Sequence, residues 1–525
     1  MPALSDGSVY RERWECPDGM LEPAAHRKSS KIVIEINIEW RCMQGECTAH
    51  GRKTVQWMHM RLPDAGKVSG GLKASHHRIR NEKNAFVNAG ECMERKKILV
   101  FPAGTEIAHE IWHALRYSKF VELYGATSVD DSAEYEYRHL VRGLPFVHEV
   151  GFVARLNEVV DALGIDAIYP AHDEALSFLS LHRNELHAQL IAAEDEICQI
   201  CRSKSQTYHY LEAEDFIPCV YDPEAIESFP VFVKPDKGQG SEGACLVADK
   251  DDLHRVLASR RTMVCMEYLP GKEYTVDCLT DGNGKLLHVK ARIRERMRNG
   301  ITVRGRTVSE HGEEIARIAK RLNTRLRFLG AWFFQLREAH DGTLKLLEIS
   351  PRIPGTMGLS RNCGINYPML TLFIFWGFPV SVIDNAYPVS VERSLQSMYR
   401  IAFDFQHVYV DYDDTMTLQR PDGQWMVNSL VIGYLYQARF EGKCIHLLSH
   451  HRGDLREDMR KMAISPELFD EIRILREDEE KKDFILFKNA IFIDDSFAER
   501  KAVADACKIP VFDVDMVESL LDWRV

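Results

Sequence analysis

A lysine followed by a glycine-rich loop, in the middle of the chain, is the first pattern that could handle phosphate groups. The strand-like run VFVK at 231–234 delivers Lys234 into the loop PDKGQGSEG at 235–243, which contains Gly240 and Ser241. Free backbone N–H groups of such a loop can surround anionic oxygens. Another strand-like run follows the loop, so it does not match the P-loop pattern, which opens a helix. An ordinary glycine-rich hairpin is the alternative interpretation.

Two oxygen-bearing side chains later in the chain could hold Mg²⁺. Gln335 in FFQL and Glu348 in LLEISPR occupy two strand-like runs joined by a turn, so their oxygens could meet at one end of a hairpin. Mg²⁺ prefers such hard oxygen ligands together with substrate phosphates. Arg352 follows Glu348 and could neutralise charge on a transferring phosphoryl group. Each side chain alone would be interpreted as solvated, whereas their order along the chain predicts a nucleotide site.

A pair of aspartates near the end of the chain indicates a second phosphate chemistry. The strand-like run HVYV at 407–410 ends in DYDDT, which places Asp411 at a strand tip and Asp413 one loop residue beyond it. One carboxylate can attack phosphorus while the other protonates the leaving oxygen and later activates water. An acidic turn without chemistry is the alternative interpretation.

The elements that must position these groups form several domains. The chain has 525 residues, 45% of them hydrophobic and 28% charged, which at roughly 150 residues per domain predicts about three domains. Residues 1–95 show no sustained periodicity and are predicted to be poorly structured or a non-native extension, with Met93 as an alternative start. Strand and helix patterns alternate over 96–195, antiparallel hairpins dominate 196–390, and the alternation returns over 400–525. The predicted fold class is a multidomain α/β and α+β chain.

Composition restricts the partners and the compartment. The formal charge is 67 minus 78, or −11, which gives no overall attraction to phosphate backbones and predicts no nucleic-acid partner. The 13 cysteines are scattered and the N-terminus lacks a signal pattern, which favours a reduced, cytoplasmic setting. The apolar stretch 367–383 is shorter than the ~20 residues of a membrane span, so we expect a buried helix and no membrane.

The central part of the chain, 196–390, resembles the ATP-grasp superfamily, particularly its carbamoyl-phosphate-synthetase-like branch. The resemblance implies that phosphate, adenine-side and ribose contacts are made by Lys204, Lys234, Glu267, Tyr268, Leu269 and Glu273. It implies that Gln335, Glu348 and Ser350 hold Mg²⁺, although Ser350 stands where the family usually has Asn. Lys290 and Arg292 would face the phosphates or the acyl substrate, and Arg352 keeps its family place.

The chemistry implied by this resemblance is activation of a small carboxylate as an acylphosphate, which an amine or similar nucleophile then attacks. The cofactors would be ATP and Mg²⁺, with Mn²⁺ as an alternative, and the partners small carboxylate and amine substrates. A homo-oligomer is left open. A regulatory or scaffold module that binds ATP without turnover, with phosphatase as the only activity, is the alternative function.

The C-terminal part, 400–525, resembles the haloacid-dehalogenase-like (HAD) phosphohydrolases, whose core is a Rossmannoid α/β domain, because ordered polar residues follow its strand-like runs. These are Asp411, Asp413, Ser449, Lys481, Lys482, Asp494 and Asp495. The resemblance implies Asp411 as nucleophile, Asp413 as acid and base, and Ser449 as phosphate ligand. It implies Lys482 as the phosphate-binding lysine, with Lys481 as the alternative. Mg²⁺ would be bound by Asp411, Asp413, Asp494 and Asp495, and the substrate would be a phosphorylated metabolite.

Three weaker patterns are interpreted as structural. Cys198 and Cys201 have CxxC spacing, but without a second pair two helix cysteines are the favoured interpretation. Cys42, Cys47 and His50 form a looser cluster of metal-ligand types. His450 and His451 follow Ser449, and surface histidines at a strand end are favoured over contact with the phosphate site.

Overall fold

The computed structural model describes residues 94–525 except 239, 241, 259–261, 299, 421 and 525. The N-terminal prediction for 1–95 therefore lies almost wholly outside the described residues, as do the Cys42, Cys47 and His50 cluster and Ser241. The described residues lie within one compact unit, Glu82–Val525, whose architecture follows. This unit is not divided further, so the predicted domain boundaries at 195, 390 and 400 stay predictions.

A parallel five-stranded sheet begins the described chain, with strand order β3-β2-β1-β4-β5. Its elements are β1 (Lys96–Phe101), α1 (Glu106–Leu115), β2 (Val121–Ala126), β3 (His139–Val141), α2 (Phe152–Leu163), β4 (Ala167–Pro170), α3 (Asp173–Leu181) and β5 (Gln189–Leu190). Ile98 and Val100 pack with α1 on one face, while Leu99 and Phe101 pack with α2 and α3 on the other. The central strand β1 is apolar and buried after its first two residues, because helices cover both faces.

A small antiparallel sheet follows, with strand order β6-β9-β7-β8. Its elements, with the helices around it, are α4 (Asp195–Arg202), α5 (Lys204–Tyr210), β6 (Val220–Tyr221), β7 (Val231–Pro235), β8 (Cys245–Val247), α6 (Lys250–Leu257) and β9 (Met263–Glu267). Val231 and Val233 alternate into a core that also holds Leu253 of α6. This alternation directs the even-numbered residues of β7 to the opposite face.

A six-stranded antiparallel sheet forms the largest layer, with strand order β14-β13-β10-β11-β12-β15. Its elements are β10 (Glu273–Thr280), β11 (Leu286–Arg298), β12 (Ile301–Val308), α7 (Gly312–Leu326), β13 (Gly330–Glu338), β14 (Leu344–Ser350), α8 (Gly358–Arg361), α9 (Tyr367–Phe375) and β15 (Ser390–Glu392). Ile318 and Leu322 of α7 cover one face of the sheet. In the part of the chain that the structure describes, no helix is both long and apolar enough to cross a membrane.

The last layer is a parallel sheet with strand order β20-β19-β16-β21-β22, accompanied by the hairpin β17-β18. Its elements are β16 (His407–Val410), β17 (Thr417–Gln419), β18 (Trp425–Val427), α10 (Ser429–Phe440), β19 (Cys444–Ser449), α11 (Leu455–Lys461), β20 (Glu471–Ile474), β21 (Ala490–Ile493), α12 (Phe497–Cys507) and β22 (Val511–Phe512). Val408 and Val410 face the core with α10 and α11, and Tyr409 faces the core with α12. The prediction of a mixed α/β multidomain chain is confirmed.

Candidate active sites

A row of polar side chains crosses four strands of the six-stranded sheet. Thr275 of β10 pairs with Gln335 of β13 on one side and with Arg292 of β11 on the other. Gln335 pairs in turn with Glu348 of β14. Directly paired residues project from the same face of a sheet, and all four side chains line one cavity of about 1050 Å³. The sheet register therefore brings the predicted metal ligands Gln335 and Glu348 together.

Two predicted lysines enter the same cavity from the small sheet and its helix. The Lys234 ammonium of β7 donates to the Tyr208 hydroxyl at 2.8 Å and to the Leu347 carbonyl at 2.9 Å. Lys204, at the start of α5, lies 3.9 Å from a Glu348 carboxylate oxygen. Burial, together with the charge of Lys204, lowers the pKa of Lys234 to about 7. Both cations are thus withdrawn from water beside Glu348.

The predicted adenine and ribose contacts are partly brought to this cavity. Glu267, Leu269 and Glu273 line the cavity, whereas Tyr268 does not. Glu267 is fixed by a reciprocal pair of hydrogen bonds with the backbone of Cys219, at 2.9 and 2.8 Å. Glu273 forms an ion pair with Arg294 at 2.6 Å. The end of β9 and the start of β10 therefore provide one wall of the cavity.

The glycine-rich loop reaches the cavity through Gly240, which is held by a close backbone approach. A Cβ atom on Gly300, in the turn between β11 and β12, would lie 1.8 Å from the carbonyl oxygen of Gly240. Gly300 also has a φ of 75°, which favours glycine. The hairpin turn thus packs against the loop with no space for a side chain.

The two predicted arginines are held by acidic partners. Arg352 makes a bidentate ion pair with Asp173, the first residue of α3, with two contacts of 2.6 Å. Burial alone would raise the pKa of Asp173, but Arg352 lowers it to about 2. Arg292 is 2% exposed, lies 3.0 Å from Asp277 and donates to the Thr356 hydroxyl. Both guanidinium groups therefore border the cavity in fixed orientations.

Two predicted site residues in this region, Ser350 and Lys290, do not line the large cavity. Ser350 is paired with Phe333 rather than with Gln335, and its hydroxyl donates to Asp173 at 3.1 Å. It does not line the large cavity but lines a smaller pocket together with Glu348, so its role as a metal ligand stays a prediction. The ammonium of Lys290 lies 2.6 Å from Asp384, away from the lining residues. Lys290 is held outside the cavity by Asp384, whereas Ser350 is held against Asp173, which lines the cavity.

A family model identifies the central sheet. Residues 259–396 match the family described as ATP-grasp in the biosynthetic pathway with Ter operon. The chain contains an ATP-grasp domain. The matched segment runs from β9 to beyond β15 and includes Gln335, Glu348 and Arg352. No curated protein sequence matches the chain.

Several solved structures are similar to the chain at low sequence identity. The biotin carboxylase domain of the Hydrogenobacter thermophilus 2-oxoglutarate carboxylase, in complex with MgADP, ADP and bicarbonate, has 17% identity and a TM-score of 0.47 over 56% of this chain and 73% of that chain. An L-amino acid ligase from Bacillus licheniformis has 17% identity and a TM-score of 0.43 over 54% and 74%. The N5-carboxyaminoimidazole synthetase from Staphylococcus aureus, complexed with ADP, has 14% identity and a TM-score of 0.47 over 58% and 83%. These likenesses assign no residue role or substrate to this chain.

A second polar cluster lies at the carboxyl ends of three neighbouring strands in the C-terminal sheet. Asp411 follows β16, Ser449 ends β19, and Asp494 and Asp495 follow β21, and β16 pairs with both other strands. The buried ammonium of Lys481 lies 2.8 Å from Asp411 and 2.6 Å from Asp494. Carboxylate oxygens of Asp411, Asp494 and Asp495 all lie within 4.8 Å of one another.

The charges in this cluster strongly perturb one another. Burial and the charge of Asp411 raise the pKa of Asp494 to about 7, although Lys481 opposes the rise. Burial also raises the pKa of Asp411. Burial tends to lower the pKa of Lys481, but the two carboxylates outweigh it and raise that pKa. Three crowded carboxylates with hard oxygen donors fit a divalent cation such as Mg²⁺.

The structure corrects the choice between two adjacent lysines. Lys481 is 3% exposed and enters the cluster, whereas the Lys482 side chain is 32% exposed and pairs with Glu480. The two begin a short 3₁₀ turn at 481–484, where consecutive side chains diverge, so only one can point inward. Lys482 is therefore not the lysine of this site. Asp413 also lies outside the three-carboxylate group, because its carboxylate contacts His451 at 2.9 Å.

Sequence reasoning missed three contributors. Asp173 carries no local signal, because its ion pair with Arg352 spans 179 residues. Thr415 was part of the DYDDT motif, and its hydroxyl accepts the backbone N–H of Asp495 at 3.0 Å, which ties two strand ends together. The interpretation of His451 as a surface histidine is wrong, because its side chain is only 7% exposed and contacts Asp413.

Proposed function

We propose that the chain is an ATP- and Mg²⁺-dependent carboxylate–amine ligase joined to a HAD-like phosphohydrolase. The observation that carries the ligase half is the cavity in which Lys204 and Lys234 meet Glu348. Two lysines withdrawn from water beside hard oxygen ligands form an environment suited to a nucleoside triphosphate with its metal ion. The match of residues 259–396 to an ATP-grasp family supports the same proposal.

In the proposed ligase reaction, an oxygen of the substrate carboxylate attacks the γ-phosphorus, and the bond from that phosphorus to ADP breaks. The acylphosphate is then attacked at its acyl carbon by the amine, which loses a proton as phosphate departs. Lys234 and Lys204 bind phosphate oxygens, and Arg352 neutralises charge on the transferring group. Gln335 and Glu348 would hold Mg²⁺, which supplies charge neutralisation on the phosphates when bound.

The second substrate would bind at the end of the cavity formed by the first sheet. The cavity of about 1050 Å³ is lined by residues of the first sheet's loops as well as by the two lysines. That end is lined by Glu106 after β1 and by His172 after β4. Carboxyl ends of neighbouring parallel strands are the usual ligand sites of such sheets. Small carboxylate and amine substrates fit this end.

For the C-terminal half, the carrying observation is the approach of Lys481 to Asp411 and Asp494 at the tips of β16 and β21. An oxygen of Asp411 attacks phosphorus, and the bond from phosphorus to the leaving alcohol breaks as Asp413 gives its proton to that oxygen. Water then attacks the aspartyl phosphate, Asp413 accepts a proton, and phosphate leaves with Asp411 regenerated.

The polar groups around Asp411 and a bound metal ion would assist the proposed phosphatase reaction. Lys481 orients Asp411, and the Ser449 hydroxyl, which lies beside Asp411, binds a phosphate oxygen. Asp411, Asp494 and Asp495 would hold Mg²⁺, which supplies charge neutralisation on the phosphoryl oxygens when bound. The substrate would be a phosphorylated metabolite.

The proposal is tested by incubating three proteins with Mg-ATP and mixtures of amino acids, hydroxy acids and amines while ADP, phosphate and new masses are followed. The wild type should release ADP and form an adduct, and Lys234→Ala should not. Lys290→Ala is the matched control, because Lys290 pairs with Asp384 outside the cavity. ATP binding without ADP release in every mixture would contradict the ligase and favour a nucleotide-binding regulatory module.

A further inference from the structure

His451 joins the Asp413 carboxylate to a helix of the C-terminal sheet. Its Nδ1 lies 2.9 and 3.1 Å from the two carboxylate oxygens of Asp413. Its Nε2 lies 3.1 Å from Asp458 on α11. The His451 side chain is only 7% exposed, and its ring meets that of Tyr412 edge-on at 5.4 Å. Both ring nitrogens are thus committed to carboxylates, and the ring is packed on one side.

The anchor at the far end of this chain of contacts is itself fixed. Asp458 accepts from Lys461 at 2.8 Å, and the next residue, Met459, is buried in the core. Each ring nitrogen of His451 lies within hydrogen-bond distance of one aspartate carboxylate. Rotation of the ring would break both hydrogen bonds. Among the described residues, His451 is the hydrogen-bond partner of the Asp413 carboxylate.

We infer that His451, anchored by Asp458, is a positioning residue that fixes the Asp413 carboxylate for proton transfer to the leaving oxygen. The inference rests on the proposed phosphohydrolase function. The Asp413 side chain is 41% exposed, so without His451 it would occupy several rotamers in water. A group that transfers a proton is effective only when it is held within hydrogen-bond reach of the reacting atom. The other groups of the cluster do not supply that restraint.

Leaving-group dependence separates this role from a structural one. Phenolate is a poor leaving group and depends on the proton from Asp413, whereas p-nitrophenolate departs readily without it. The two phenyl phosphates are otherwise similar in shape and charge. Loss of positioning should therefore reduce turnover of phenyl phosphate much more than turnover of p-nitrophenyl phosphate. A general loss of structure would reduce both equally.

The experiment compares kcat and KM of the full chain with phenyl phosphate and p-nitrophenyl phosphate in the presence of Mg²⁺. For His451→Ala we expect kcat/KM, which reports only the steps up to departure of the phenol, to fall ~10²-fold with phenyl phosphate and less than ~10-fold with p-nitrophenyl phosphate. His451→Asn keeps one donor near Asp413 and should recover part of the loss. His450→Ala is the matched control, since His450 is 3.9 Å from Glu499 and outside this chain of contacts.

A crystal structure of His451→Ala gives an independent result. We expect the Asp413 carboxylate to leave its wild-type position while Asp411 and Lys481 keep theirs. Equal losses of kcat/KM on both esters, or an unmoved Asp413 in the variant, would overturn the inference. Failure of the wild type to hydrolyse either ester would instead contradict the proposed phosphatase, and the position of Asp413 would still decide whether His451 fixes that carboxylate.

Discussion

The two candidate sites use buried charge in opposite ways. We call the cavity lined by Lys204, Lys234 and Glu348 the ATP-grasp cavity. There, burial lowers the pKa of Lys234 to about 7. In the C-terminal cluster, burial and a neighbouring carboxylate raise the pKa of Asp494 to about 7. The first site concentrates cations drawn from two sheets, and the second crowds carboxylates at the edge of one sheet. The first environment favours a polyanion such as a nucleotide, and the second favours a divalent cation.

The sites also differ in how far apart their residues lie in the sequence. In the C-terminal cluster the carboxylates lie at the ends of adjacent parallel strands, so the sheet brings them together, and Lys481 joins them from a 3₁₀ turn. The ATP-grasp cavity depends on ion pairs between layers, such as that between Arg352 and Asp173. A substitution in one site should therefore reduce the activity of that site and spare the activity of the other site.

The largest effect is expected for Lys481→Ala, which removes the only cation shared by Asp411 and Asp494 among the described residues. Two buried carboxylates would be left without compensation, and phosphatase kcat should fall by at least ~10²-fold. Lys482→Ala is the matched control and should stay within about twofold, because exposed ion pairs contribute little. Turnover of p-nitrophenyl phosphate measures both, and equal losses would restore Lys482 to the site.

The next effect is expected for Asp173→Asn, which removes the charged partner of Arg352. ADP formation should fall ~10- to 10²-fold, mainly in kcat, because a misplaced guanidinium no longer neutralises the transferring phosphoryl group. Phosphatase turnover should not change. Asp384→Asn, whose partner Lys290 lies outside the cavity, serves as the control. Wild-type ADP formation in Asp173→Asn would show that the ion pair is structural only.

The order of these effects reflects what could be predicted from the sequence. The strand before Asp411 is a short apolar run buried on both faces, and an acidic motif at its end is a local signal. The sequence around Lys481 does not show that this side chain points inward, because the direction of each side chain in a 3₁₀ turn depends on what packs beneath it. The sequence therefore indicates two candidate lysines, and packing decides that Lys481 enters the carboxylate cluster.

The ATP-grasp cavity was predictable in its strands but not in its contacts between layers. Gln335 and Glu348 face each other because the hairpin register pairs them, and a short turn between two apolar runs is a readable signal. Ser350 lies on the same strand, yet its hydroxyl turns to Asp173 from the first sheet. No periodicity within one segment reports the approach of another layer.

A smaller effect is expected for Gly300→Ala, which tests the close approach of the β11–β12 turn to the glycine-rich loop. The added Cβ would collide with the Gly240 carbonyl, so the loop must shift, and KM for ATP should rise ~10-fold with less change in kcat. Gly284→Ala is the control for backbone strain, because Gly284 has a φ of 78° and an added Cβ there would meet nothing within 4 Å. Equal KM values for the two variants would argue against contact between the loop and the nucleotide.

The smallest effect is expected for Ser350→Ala, although Ser350 occupies the family position of a metal ligand. Its hydroxyl donates to Asp173 at 3.1 Å, while Asp173 keeps two 2.6 Å contacts with Arg352. This hydrogen bond is charge-assisted, but Asp173 keeps its ion pair with Arg352, so its loss should change ADP formation by only about twofold. The Mg²⁺ concentration for half-maximal activity should stay at the wild-type value, whereas Glu348→Ala should raise it strongly. A comparable shift in both variants would place Ser350 among the metal ligands after all, and would require its side chain to turn away from Asp173 when nucleotide binds.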